Sequence, residues 1–150
     1  MSTLKILCVD DDPAMLRLYQ TLLESTGYIV SVADDAFLAM DFLGKRGVDA
    51  VVLDYEMPGM NGADLAEKVK MLRPGTPVVM VSGRSSDTAP KPKFVDTALN
   101  KGTSVCSLPD ILEHLTASAR QQMPRVRYTP LGSALATVAL AAYLIPRIWR

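Results

Sequence analysis

Short unbroken apolar runs alternate along this chain with stretches whose apolar residues recur every three or four positions. The runs are LKILCV (4–9), YIVSVA (28–33), DAVVLD (49–54) and TPVVMVS (76–82). They are rich in β-branched residues and short, so they read as strands. Between the first two, Asp12-Pro13 opens a helix, with Asp12 as the N-cap and Pro13 at the first position. Met15, Leu18, Leu22 and Leu23 give that helix an apolar face, and Gly27 ends it. A second helix covers 35–44, carrying Phe37, Leu38, Met40, Phe42 and Leu43. A third covers 62–72, with Leu65, Val69 and Leu72 inward, and Arg73-Pro74-Gly75 stops it. Residues 83–96 read as irregular, because Pro90 and Pro92 oppose a long helix. A short strand at Thr97–Asn100 follows, then a helix from Pro109 to about Gln122, faced by Ile111, Leu112 and Leu115.

Strands that alternate with helices imply an α/β fold, a parallel sheet with helices on both sides. Unbroken apolar strands agree, since parallel strands are buried on both faces. In such sheets ligands bind beyond the carboxyl ends of the strands. The first strand ends in Asp10, Asp11 and Asp12; the third ends in Asp54; the fourth ends in Ser82; Lys101 follows the fifth. Clustered carboxylates raise one another's pKa unless a cation joins them. A hard divalent cation with oxygen ligands suits such a cluster, and magnesium takes one or two carboxylates plus phosphate oxygens. Beside it a carboxylate can attack a phosphoryl group and form an aspartyl-phosphate. A lysine and a hydroxyl would then hold the phosphoryl oxygens, and Gly83 would let the backbone come close.

Composition narrows the reading. Lys+Arg and Asp+Glu each number 16, so there is no basic excess for nucleic-acid binding. Two cysteines, Cys8 and Cys106, make neither a disulfide framework nor a zinc site. Cys8, inside an apolar strand, reads as a buried free thiol, and this fits a reducing cytoplasmic setting. The opening MSTLKILCVDDD turns acidic too early for a signal peptide.

The motifs ILCVDDDP, VVLDYEMPGMNG and PVVMVSG resemble the receiver domain of bacterial response regulators over about residues 4–122. The resemblance implies a flavodoxin-like, five-stranded parallel sheet in the order 2-1-3-4-5. It implies Asp54 as phosphoacceptor, and Asp10 and Asp11 as the acidic pair for Mg2+, with Asp11 binding more directly. The backbone carbonyl of Glu56 is then the third protein ligand, Ser82 the switch hydroxyl and Lys101 the phosphate-binding lysine. Pro58 and Gly62 shape the loop that presents Asp54. The chain departs from the family pattern at three points. Gly102, not proline, follows Lys101, leaving Lys91 and Lys93 as rivals for its role. The Pro-bearing segment between Ser82 and Lys101 is short where the family has its fourth helix, and Ala98 stands where an aromatic is usual. After the receiver only the apolar tail is expected, without a DNA-binding or enzymatic output domain. Glu56 and Arg84 are expected to flank the path of a hydrolysing water and to pair there.

From Tyr128 to Pro146 the chain has 19 residues without a charge. As a helix they would span about 28 Å, near the hydrocarbon thickness of a bilayer. The run has no polar face, and Tyr128, Tyr143 and Trp149 lie toward its ends, where aromatic belts form. The organisation expected is a receiver domain (1–122), a basic linker (123–127) and a membrane anchor (128–150). Small residues at four-residue spacing, such as Gly132 and Ala136, would favour a weak homodimer. A helix packed on the receiver or in a partner's groove is the alternative for this segment. The resulting picture is a response regulator on the cytoplasmic face of the inner membrane. Its partners are a sensor histidine kinase or phosphotransfer protein and an unknown downstream protein, with no nucleic acid. It has no turnover beyond its own phosphorylation and dephosphorylation. Two rivals stand beside it: a pseudo-receiver that binds partners without phosphorylation, and a small phosphohydrolase.

Overall fold

The computed structural model describes residues 3–83, 91–102 and 105–122. The elements run β1 (Lys5–Val9), α1 (Pro13–Ser25), β2 (Ile29–Ala33), α2 (Ala36–Lys45), β3 (Ala50–Asp54), α3 (Gly62–Leu72), β4 (Val78–Ser82), β5 (Thr97–Asn100) and α4 (Leu108–Gln122). A single 3-10 turn, Val105–Ser107, precedes α4. The five strands are all parallel, in the order β2-β1-β3-β4-β5.

Local chemistry sets the helix starts. Asp12, Asp35 and Asn61 are the N-caps of α1, α2 and α3, each accepting a backbone N–H of the first turn at 2.7–2.9 Å. Gly27, with φ +93°, supplies the left-handed turn just after α1.

Alternation along the strands divides the core in two. Ile6, Cys8, Val52, Val79 and Val81 point toward Leu16, Tyr19 and Leu23 of α1 and Leu108 and Leu112 of α4. Leu7, Val9, Val51, Leu53, Val78 and Met80 point toward Ala39 and Leu43 of α2 and Leu65 and Val69 of α3. On that second side Val95 is also buried, with Phe94 packed against the cluster. Residues 91–96, which contain no regular element, thus supply cover beside α3.

The helix faces differ from the sequence expectation. On α1 the buried line is Leu16, Tyr19 and Leu23; Met15 and Leu22 flank it and Leu18 is 47% exposed. On α2 the sheet-facing residues are Ala36, Ala39 and Leu43, while Phe37 is 79% exposed and Leu38 is also exposed. Small alanines let that helix sit close to the sheet, and its bulky residues turn outward. Leu72, the last residue of α3, is exposed as well. Strand β2 is an edge strand, so Ile29 and Val32 are exposed rather than buried on both faces.

The apolar run 128–146 and the arrangement expected for it lie outside the described residues. Among the described residues, no helix is long and apolar enough to cross a membrane.

Candidate functional site

Parallel register brings the chemistry to one edge. Val9 lies beside Leu53, so Asp10, one residue on, stands beside Asp54 at the end of β3. Ser82 is level with Asn100, and the Lys101 N–H donates to the Ser82 carbonyl at 2.9 Å. Tyr55 N–H donates to the Val81 carbonyl at 2.9 Å, tying the loop after Asp54 to β4. Four strand ends thereby converge at one edge.

Asp10 is fully buried and Asp54 is 2% exposed; Asp11 is exposed. One carboxylate oxygen from each of these three acids falls within a mutual distance of 4.8 Å. The ammonium of Lys101 lies 2.8 Å from Asp10 Oδ2 and 3.1 Å from Asp54 Oδ1. Asp10 Oδ1 accepts the Asp12 N–H at 2.9 Å, and the Tyr19 hydroxyl reaches Asp10 Oδ2 at 3.4 Å. Asp54 accepts a backbone N–H from Glu56. Its Oδ1 is buried with the Lys101 ammonium alongside but without an aligned hydrogen bond.

The electrostatics follow from burial. Desolvation first, and then the charge of Asp10, push the Asp54 carboxyl above the ordinary carboxylate value, against the pull of Lys101 and the Glu56 N–H. Burial also works against the Lys101 ammonium, but Asp10 and Asp54 outweigh it and hold its pKa above the usual lysine value. Three acids meet one cation here among the described residues. That excess of negative charge, with oxygen donors only and one buried oxygen poorly satisfied, fits a hard divalent cation such as Mg2+.

The loop that presents Asp54 is held by backbone. Gly59 takes φ +82° within the turn. A Cβ on Gly62 would overlap the Asp54 carbonyl oxygen and crowd the Tyr55 Cα. Gly62 N–H donates to the Tyr55 carbonyl at 2.9 Å, so α3 starts directly against the end of β3.

The structure brings Asp10, Asp11, Asp54 and Lys101 together and sets Ser82 at the adjoining strand end. It places the rival lysines elsewhere. Lys91 donates to the Asp96 carbonyl at 2.7 Å, at the amino end of β5, and the Lys93 ammonium sits over the Phe94 ring. Arg84, and with it the expected pairing to Glu56, lies outside the described residues. Tyr19 belongs to the site and was not among the sequence candidates. Its signal is a polar-tipped ring three residues after Leu16 on a face otherwise aliphatic, since a buried tyrosine hydroxyl needs a partner.

Comparison with known proteins adds a family. The model of the response regulator receiver domain matches residues 6–101. The sensor histidine kinase GacS of Pseudomonas protegens is 40% identical over 81 residues, which cover 52% of this chain and 9% of that protein. A protein-glutamate methylesterase/protein-glutamine glutaminase of Yersinia pestis is 40% identical over 92 residues, covering 58% of this chain and 26% of that protein. The matched stretch is therefore only 9% and 26% of these relatives' length. A CheY-like response regulator receiver domain protein from Methanospirillum hungatei superimposes with a TM-score of 0.72 at 28% identity, covering 80% of this chain and 98% of that one.

Proposed function

We propose, for a chain that belongs to the response regulator receiver family, that Asp54 accepts a phosphoryl group from a phosphohistidine. The observation that carries the reading is the buried Asp10–Lys101–Asp54 arrangement at the carboxyl edge of the sheet. An Asp54 carboxylate oxygen attacks phosphorus, the P–O bond forms, and the P–N bond breaks. The imidazole of the donor leaves with the electron pair and takes up a proton. Lys101, released from Asp10 and Asp54, pairs with the phosphoryl oxygens, and the Ser82 hydroxyl donates to another. Asp10, Asp11, Asp54 and the backbone carbonyl of Glu56 would hold Mg2+, which neutralises charge on the transferring group. Hydrolysis by water, attacking the same phosphorus, returns Asp54 to its carboxylate.

Receiver domains work with sensor histidine kinases or phosphotransfer proteins, and this chain is proposed to do the same. Its output is by protein contact, with no substrate turned over. The uncharged run 128–146 is the reason to place it at a membrane, on the cytoplasmic face of the inner membrane as a single-pass anchor. Weak self-association through the small residues of that run belongs to the same reading.

The test uses the full chain, incubated with acetyl phosphate or phosphoramidate and magnesium, then weighed intact. The expected result is a phosphoryl adduct that requires magnesium and is missing from Asp54→Asn. A folded wild-type chain that takes up no phosphoryl group overturns the proposal and leaves a binding module of the same fold.

A further inference from the structure

The Asp10 carboxylate has more donors than its neighbour. Oδ1 takes the Asp12 N–H, and Oδ2 takes both the Lys101 ammonium and the Tyr19 hydroxyl. Among the described residues Tyr19 is the largest of the fully buried side chains, and it belongs to the core cluster between the sheet and α1 and α4. Its hydroxyl ends beside an acid that is itself completely buried. At 3.4 Å the contact is long for an O–H···O bond, whose usual length is about 2.7–2.8 Å. Lys101, at 2.8 Å, is the closer partner of the same oxygen. A tyrosine hydroxyl is protonated at neutral pH, so it serves as a donor.

Phosphoryl transfer needs Lys101 elsewhere. Once the ammonium turns to the phosphoryl oxygens, Asp10 Oδ2 loses its nearer donor inside a buried site. A buried carboxylate oxygen left bare is costly. We propose that Tyr19 is a positioning residue of the metal site. Its hydroxyl holds the Asp10 carboxylate in its cation-binding orientation and becomes the side-chain donor to Oδ2 when Lys101 moves. This rests on the reading of Asp10 as a magnesium-binding acid, and it deepens that reading by naming what orients it. Residues behind metal ligands typically change metal affinity by about 10- to 100-fold when removed.

The experiment is titration calorimetry of Mg2+ into the full chain and into Tyr19→Phe, with thermal melting of both in EDTA. Leu16→Val, on the same face of α1, reports what a plain core change does. The proposal expects Tyr19→Phe to bind Mg2+ about tenfold more weakly while melting close to wild type. Leu16→Val should lower the melting temperature and leave Mg2+ affinity within about twofold. Equal Mg2+ affinity in wild type and Tyr19→Phe overturns the assignment of Tyr19 alone. Equal weakening by Leu16→Val overturns it too, reducing Tyr19 to packing. A wild-type chain that binds no Mg2+ overturns the cation reading of the site, and Tyr19's role with it.

Discussion

Aspartates sit at both edges of this sheet, and they are treated in opposite ways. At the amino ends of the strands, Asp49 accepts the Lys5 N–H at 2.8 Å and faces Arg120 at 3.3 Å. Asp96 accepts the Val78 N–H and the Lys70 ammonium, both at 2.7 Å. Each of these acids has its own base and a backbone donor, and each keeps some solvent contact. At the carboxyl ends, Asp10 and Asp54 are buried and share one lysine. The first arrangement ties strand starts together. The second leaves negative charge unmatched, the condition under which a hard divalent cation gains by entering.

Substitutions at the two edges should therefore behave oppositely. The largest effect belongs to Asp54→Asn, which should lose the phosphoryl adduct altogether when intact mass is measured after treatment with a small phosphoryl donor. Asp96→Ala should keep the adduct but lose about 2 kcal/mol of stability in urea titration, because the Val78 N–H loses its acceptor and Lys70 its paired carboxylate. Magnesium should raise the stability of the wild type by roughly 1.4 kcal/mol at ten times its Kd, and Asp11→Asn should blunt that rise in a melting experiment.

In EDTA at neutral pH, Asp54→Asn should be more stable than wild type by on the order of 1 kcal/mol, the reverse of Asp96→Ala. The sign follows from the raised pKa. The fold favours protonated Asp54, so ionisation above its folded pKa weakens the fold, and acidification through that pKa relieves the penalty. Arg120→Ala should change stability by less than about 0.5 kcal/mol, as expected for a solvated pair. If Asp96→Ala and Asp54→Asn shift stability in the same direction, the contrast between the edges is wrong.

The strands were legible because unbroken apolar runs mark them, while their order was implied by the resemblance of the motifs to the receiver family. Asp10 and Asp54 could be placed together once the strands were known, since both close a buried run. The helix faces were less legible. Phe37 and Leu38 look like core by hydrophobicity, yet Ala36 and Ala39 take the inner positions, because close approach to the sheet favours small side chains. Leu18 and Leu72 misled for a related reason: an apolar residue is not obliged to be inside. Tyr19 went unnoticed because its hydroxyl matters only through a residue nine positions away, a relation that periodicity does not encode.

Gly62 has a mechanical consequence. Its backbone rests on the backbone of Asp54 and Tyr55, with no side chain between them to act as a cushion. Rotamers cannot absorb a displacement there. Behind that contact stands α3, a rod of 11 residues, about 16 Å long, braced on the sheet by Leu65 and Val69. Near its other end Lys70 grips Asp96 and the Thr76 carbonyl, beside the starts of β4 and β5. The sheet's two edges are thus joined by a stiff strut seated against the backbone of Asp54.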